Sequence, residues 1–533
     1  MIRFCMMHRF AFSTPFPVPL RIALGLLAAG LVAACARGPA PSANPQVADP
    51  TPSGTALLTS SPPTPIPTDT SIPTATPTLA PSPTPTDTPT PTPGPTVAPD
   101  IAALPAVVRQ GDFLGAFAAR YGISLDALIA YNHIENPNMV APGQRFMIPY
   151  RVDRVTPEDI LLPDSELLYG PAYLDFDAAA FVDAQGGGLS QMQVPFVDGG
   201  AISGGELVNY VAIRYSVGPR VLLALIEARS GLVTRPETPD EQTLDYPLGH
   251  VRAGRGLLNQ LEWAANALNS GFYGWLDRGE TAIQFQDYRI ARAAPNLNPG
   301  TVAIQRTLAQ DATFEALPAE LDAFMEAYTR LFGDPFQYDA GPILPWELAQ
   351  PPLAFPWQPG TWWFLTGGPH GAWGSGSGWA ALDFVPEDAP VGSCLPATTW
   401  ATAASPGLVV RNNRGELLVD LDEDGDMRTG WVLQYLHLTD RVAEGERLKM
   451  GDPVGRPACD GGTAISSHLH FARRYNGLWV AAGSSRIPLT FEDGWTAYAE
   501  ETAYRGGLIT PDGRRVSACD CRNKSLNGIW LVR

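Results

Sequence analysis

The stretch that most constrains this chain is Ser467-His468-Leu469-His470-Phe471. In a β-strand successive side chains point to opposite faces, so His468 and His470 share one side while Leu469 and Phe471 share the other. Leu and Phe belong in a core. Two adjacent imidazoles fill a core poorly, but a metal gives them a reason, because neutral imidazole is the commonest protein ligand for zinc and a second imidazole beside it can serve as base. Of the seven histidines, His370, His437, His468 and His470 all fall in the last third of the chain. His370 closes Gly367-Gly368-Pro369-His370, and Asp383 follows thirteen residues later in Ala381-Leu382-Asp383-Phe384. Tyr435-Leu436-His437-Leu438 predicts another alternating strand, with His437 on the face opposite Leu436 and Leu438.

Together these residues resemble the lysostaphin-type zinc endopeptidases that cut peptidoglycan cross-links, and within them the staphylolysin and β-lytic branch. That branch has Gly-Gly-Pro-His followed at long spacing by the Asp. The lysostaphin branch uses His-x-x-x-Asp, and here that histidine position is Trp379. Cys459-Asp460-Gly461-Gly462, leading into the His-x-His, matches the same branch, and the resemblance covers about residues 357–486. It implies an antiparallel β domain with an open groove and Zn2+ held by His370, Asp383 and His470 with an open fourth position. It also implies His468 as base, His437 as stabiliser of the oxyanion, and Cys459 as half of a disulfide, for which Cys394 is the expected partner. Zinc in such a site polarises the peptide carbonyl and lowers the pKa of its water. The alternative from another class is a non-catalytic peptidoglycan-binding scaffold or activator of other wall hydrolases.

A chain of 533 residues is too long for one core, and about three domains are expected. Its net charge of −18 argues against nucleic acid and anionic lipid headgroups as partners. Residues 1–34 read as an export signal, with Arg3, Arg9 and Arg21 ahead of an apolar run too short to span a bilayer. Leu31-Val32-Ala33-Ala34-Cys35 resembles the lipobox of bacterial lipoproteins, which implies a lipid on Cys35 and a membrane anchor in the bacterial envelope. The alternative is a soluble secreted protein. Residues 35–100, rich in Pro, Thr, Ser and Ala, cannot bury enough surface to offset chain entropy and read as a disordered tether. At about 3.1 Å per residue, some 60 residues reach on the order of 190 Å.

In residues 105–150, Val107-Val108-Arg109 predicts a strand and Gly111-Asp112 a turn, with Asp112 capping a helix that carries Leu114, Phe117, Ala118 and Tyr121 at helical spacing. A second helix with Leu125, Leu128 and Ile129 follows. Asn136-Pro137 breaks the chain before a closing strand at Arg145 to Pro149. This βααβ pattern resembles a LysM module, which binds N-acetylglucosamine in glycan chains. The resemblance implies a glycan groove at Gly111, Asp112, Phe113, Leu114, Asn138 and Met139, although the family usually has Thr or Ser where Phe113 stands.

Residues 155–344 are expected to be mainly helical, with three-to-four spacing from Ser203 to Tyr215, Pro219 to Arg229 and Gly256 to Leu268, and a further helix from Pro318 to Phe332. The segment from Tyr215 to Glu227 resembles the first helices of lysozyme-like lytic transglycosylases. The family's acid precedes Ser-Gly; that place is Arg229, and the nearest carboxylate, Glu227, is rotated about 200° around the helix. The readings are a helical spacer, a degenerate lysozyme-like fold that still holds glycan, or a glycan-cleaving enzyme. Trp263, Tyr273 and Trp275 would then stack on sugars or fill a core.

Residues 345–533 alternate as strands. Within them Asp420-Leu421-Asp422-Glu423-Asp424-Gly425-Asp426 begins like a calcium loop, but Trp431 stands where the bidentate Glu is needed, leaving an acidic hairpin turn or a calcium site. Four cysteines remain once Cys5 and Cys35 are set aside, an even number that suggests two disulfides in an exported chain. Cys519 and Cys521 then pair with each other or form a Cys-x-Cys metal ligand. The fold class expected is multidomain α+β: tether, LysM module, helical middle domain and antiparallel β zinc peptidase.

Overall fold

The computed structural model describes residues 101–108, 112–121, 123–137, 139–151, 154–196, 199–237 and 239–532. The expected export signal, Cys35 and the Pro/Thr segment lie outside the described residues, as do Gly111 and Asn138.

The strand Ile101–Val107 pairs antiparallel with Arg145–Arg151. The helices Leu114–Arg120 and Leu125–Tyr131 pack with them around Leu114, Phe117, Leu128, Phe146 and Ile148. Two local expectations differ from this. The first strand ends at Val107 instead of starting there, so its ladder includes Pro105, which a two-stranded edge tolerates. The position before the first helix is Phe113, in extended backbone with no side-chain cap, because Asp112 falls one residue too early. Ser124 does cap the second helix, accepting the Ala127 N–H at 3.1 Å.

The helical middle of the chain contains the expected helices as Gly204–Tyr215, Pro219–Ser230, Leu257–Arg278 and Leu317–Phe332, with Pro299–Ala309 besides. Their ends follow local chemistry. Ser203 and Glu206 form a reciprocal capping box, Pro219 occupies the first turn of its helix, and Gly231 closes that helix in the left-handed conformation. The long helix outruns its expected end by ten residues, to Arg278, because Phe272 and Tyr273 continue its apolar face into the core.

The carboxyl-terminal region is built on a nine-stranded antiparallel sheet whose central neighbours are Glu416–Asp420, Trp431–Leu436, Leu469–Tyr475, Ala381–Pro386 and Trp363–His370. One face, with Leu382, Phe384, Leu433, Tyr435, Leu469 and Phe471, is covered by Trp357, Phe491 and Leu508. On the other face Ala381, Ala472 and Trp479 belong to the same continuous core as the helices. The helical layer therefore packs against the face of the sheet that carries His470. The acidic segment after Asp420 joins two antiparallel neighbours, and its buried Asp420 carboxylate accepts the N–H groups of Asp422 and Gly425.

Two buried carboxylates tie elements of the helical region together. Glu166 is fully buried and accepts from Arg220 Nε and Nη2 at 2.8 and 2.7 Å and from the hydroxyls of Tyr173 and Tyr328 at 2.8 and 2.6 Å. Glu227 accepts the Val233 and Thr234 N–H groups, the Thr234 hydroxyl and Arg330. Its oxygens are committed to the turn that follows its own helix. Glu227 is a structural carboxylate, and Tyr273 and Trp263 are engaged inside the fold, Tyr273 accepting the Trp479 N–H at 2.9 Å and Trp263 stacking on His250. Replacing Glu166 with Ala should destabilise the chain by about 3–5 kcal/mol, because Arg220 is left buried and uncompensated. Chemical denaturation of the two proteins measures this, and a change under about 1 kcal/mol would contradict the account.

Candidate metal centre

The strands Leu469–Tyr475 and Ala381–Pro386 pair so that His470 lies directly opposite Asp383, with Leu469 against Phe384 and Phe471 against Leu382. Period two then puts the imidazole and the carboxylate on one face and the apolar pairs on the other. His370 ends the neighbouring strand, which reaches it through two register irregularities after Leu365. The two glycines before it have separate reasons. A Cβ on Gly367 would lie 2.4 Å from Asp383 Oδ2, and one on Gly368 would lie 2.8 Å from the carbonyl of Arg505. Glycine at both positions lets the carboxylate and the Tyr504–Arg505 loop close in on His370.

His370 Nε2 lies 3.1 Å from His470 Nδ1, His470 Nδ1 lies 3.1 Å from Asp383 Oδ1, and His370 Nε2 lies 3.4 Å from Asp383 Oδ1. A tetrahedral ion bound at about 2.0–2.1 Å needs ligand atoms about 3.3 Å apart, so this triangle fits one. Each far ring nitrogen faces a main-chain carbonyl: His370 Nδ1 donates to Gly368 at 2.9 Å and His470 Nε2 to Ala372 at 3.0 Å. These bonds assign the protons to the outer nitrogens and leave lone pairs on the inner ones. Burial pushes the His370 imidazole down to about 4, which keeps it neutral. Burial alone would raise the Asp383 carboxyl, but His370, His468 and His470 hold it well below the usual carboxylate range, so it stays ionised.

His468 projects to the same face, with Nδ1 donating to Ser466 at 2.8 Å and Nε2 lying 3.6 Å from Asp383 Oδ1. His437 does not sit in an uninterrupted strand. Its backbone is left-handed (φ 65°), the strand Trp431–Leu436 stops before it, and the chain crosses to a second small sheet at Leu438–Thr439. Leu436, opposite His470 in register, therefore lies on the side of the His370, Asp383 and His470 triangle, contrary to strict alternation through His437. The turn brings His437 to 4.5 Å from His468 between ring centroids. Burial holds it neutral, at about 3, and Nδ1 donates to Asp460 at 3.3 Å. Tyr504 stacks on His370 at 4.1 Å; sequence reading missed it because only a distant loop, held by main-chain bonds to Gly368 and Pro369, brings it here.

Cys394 and Cys459 are bonded, with Cα atoms 5.1 Å apart, and tie the 391–400 loop to the segment leading into His468; Ser467 Oγ donates to the Ser393 and Leu395 carbonyls beside them. Cys519 and Cys521 form the second disulfide, so they are not free to serve as a thiolate metal ligand. In the amino-terminal module Phe113 and Met139 are exposed, whereas Leu114 is buried in that module's core and its side chain is not available to a glycan.

Residues 160–346 match the family described as LasA, N-terminal domain, and residues 106–149 match the LysM domain. The chain is 27% identical over 369 residues to Protease LasA of Pseudomonas aeruginosa, covering 63% of this chain and 79% of the relative. Among solved structures, the M23 metalloprotease pseudoalterin from the deep sea is 25% identical, with 32% of this chain and 96% of that chain covered and a TM-score of 0.27. The catalytic domain of the antimicrobial peptidase lysostaphin from Staphylococcus simulans is 22% identical, with 24% and 89% covered and a TM-score of 0.16.

Gly367→Ala should push the Asp383 carboxylate out of the triangle. Metal affinity, measured by competition with a chelator, should fall by about ten-fold or more; unchanged affinity would mean that the carboxylate is not a ligand.

Proposed function

We propose that this chain, which is similar to Protease LasA and matches the LysM domain over residues 106–149, is a zinc endopeptidase that hydrolyses peptide cross-links of peptidoglycan in the bacterial envelope. The observation that carries this reading is the two-imidazole, one-carboxylate triangle with a further pair of imidazoles, His468 and His437, beside it. His370, Asp383 and His470 would hold zinc, which when bound polarises the scissile carbonyl and acidifies a water.

The chain's own residues do the rest. His468, with its inner nitrogen free, takes the proton of the attacking water and returns it to the leaving amine. His437, held neutral by burial with its Nδ1–H on the Asp460 carbonyl, can donate inward only from Nε2, so it would first take a proton there from solvent, which negative charge developing on the carbonyl oxygen beside it favours. Tyr504, against His370, walls the site on the side of the carboxyl-terminal loop.

The same proposal divides the chain into an export signal (1–34), a tether (35–100), a glycan-binding LysM module (105–150), a helical middle domain (155–344) and the peptidase (345–533). Cys35 would carry the lipid that anchors the tether. In the LysM module, Gly111, Asp112, Phe113, Asn138 and Met139 would contact N-acetylglucosamine. Glycan binding raises the local concentration of wall peptides at the zinc site without any new contact to the peptide. The glycan-cleaving alternative loses its candidate acid, because the oxygens of Glu227 are taken up by Val233, Thr234 and Arg330.

Digestion of purified peptidoglycan tests these assignments together. The intact chain should release new amino termini and no new sugar ends. His468→Ala should lower the rate by about 10²–10⁴-fold while still binding zinc, His470→Ala should lose zinc, and a chain without residues 105–150 should slow on intact wall but not on a soluble cross-link peptide. Release of reducing sugar ends, or full activity of His468→Ala, would refute the proposal.

A further inference from the structure

The segment between His370 and Asp383 contains Gly374-Ser375-Gly376-Ser377-Gly378, which the chemistry above does not use. It closes on itself, with the Ala372 N–H donating to the Gly378 carbonyl at 3.2 Å and the Trp373 N–H to Ser377 Oγ at 3.0 Å. The closed loop is seated on the long helix Leu257–Arg278. Asn266 of that helix accepts the Gly376 N–H on Oδ1 at 2.8 Å and donates from Nδ2 to Ser375 Oγ at 3.2 Å. A Cβ on Gly376 would lie 2.1 Å from the Asn266 carbonyl oxygen, one on Gly374 2.7 Å from Asn266 Oδ1, and one on Gly378 3.0 Å from the Tyr273 ring. The alternate glycines are what let the loop lie against the helix.

The neighbours of this loop lead in two directions. Trp373 meets the helical layer, with the Arg214 guanidinium 4.6 Å above its ring and Tyr215 edge-on to it. Ala372 belongs to the core shared with the helices, and its carbonyl accepts the His470 Nε2–H. That bond is the one that leaves His470 Nδ1 unprotonated towards His370 and Asp383.

We infer that Asn266 is a positioning residue for the metal centre: by pinning the glycine loop to the long helix it holds the Ala372 carbonyl, and through it the ring orientation and tautomer of His470. The inference rests on reading the His370, Asp383 and His470 triangle as a zinc site. It makes the helical layer part of the metal centre although it supplies no ligand. Asn266 is only partly buried, so its replacement should leave the core intact.

The test measures zinc affinity by chelator competition in the full chain, together with the ring-nitrogen resonances of 15N-histidine-labelled, zinc-free protein. Asn266→Ala should weaken zinc binding by about ten-fold and move the His470 signal from a single Nε2–H tautomer towards a mixture. Asn266→Asp, which keeps an acceptor for the Gly376 N–H, should stay near the wild type. If Asn266→Ala does not fold, Ser375→Ala, exposed and removing only the Oγ partner of Asn266, is read by the same two measurements. Wild-type zinc affinity and an unchanged His470 signal in the variant would overturn the positioning role while leaving the zinc site standing. A wild-type chain that binds no zinc would overturn the site itself and the inference with it.

Discussion

Each of the four imidazoles at the centre has one ring nitrogen committed to a main-chain carbonyl: His370 to Gly368, His470 to Ala372, His468 to Ser466 and His437 to Asp460. A neutral imidazole has one proton, so fixing it on the outside presents a lone pair on the inside. Three sides of the fold supply those carbonyls: the bulged end of the strand Trp363–His370, the loop seated on the long helix, and the disulfide-tied segment ahead of Leu469. The centre depends on all three being held, which is why glycines and a disulfide surround it.

The face of the sheet that bears the site carries an unfavourable burden beyond it. Arg474, two strand positions after Ala472 on the same face as His470, is fully buried over the Trp479 ring, and burial pushes its guanidinium down to about 10. On the opposite face Arg473 is equally buried and is pushed down to about 9. Buried cations of this kind cost stability, and the continuous apolar core between helices and sheet offsets that cost.

Period two makes the division of labour in Ser467 to Phe471 legible in the sequence alone, since Leu469 and Phe471 have only one place to go. The long gap from His370 to Asp383 is legible as a pattern, but its physical cause is not: Gly367 is small because a carboxylate sixteen residues later folds against it, a non-local fact. Alternation carries the expected strand through His437, because it says nothing about where a left-handed residue lets the chain change sheets. Tyr504 and Asn266 carry no local signal at all, as each reaches the site from a distant element. The helices are readable from apolar spacing and caps, yet nothing in that spacing tells that their core runs on into the sheet.

The central claim is that one ion binds to two imidazole nitrogens and one carboxylate oxygen, with the fourth position open. X-ray absorption at the zinc edge of the full chain, reconstituted with one equivalent of zinc, tests it most directly. The account predicts nitrogen and oxygen neighbours only, four in number at about 2.0–2.1 Å with an imidazole scattering pattern for two histidines, and disappearance of that imidazole pattern in His470→Ala, which no longer holds the ion. Sulfur neighbours at about 2.3 Å, or an unchanged spectrum in His470→Ala, would contradict it.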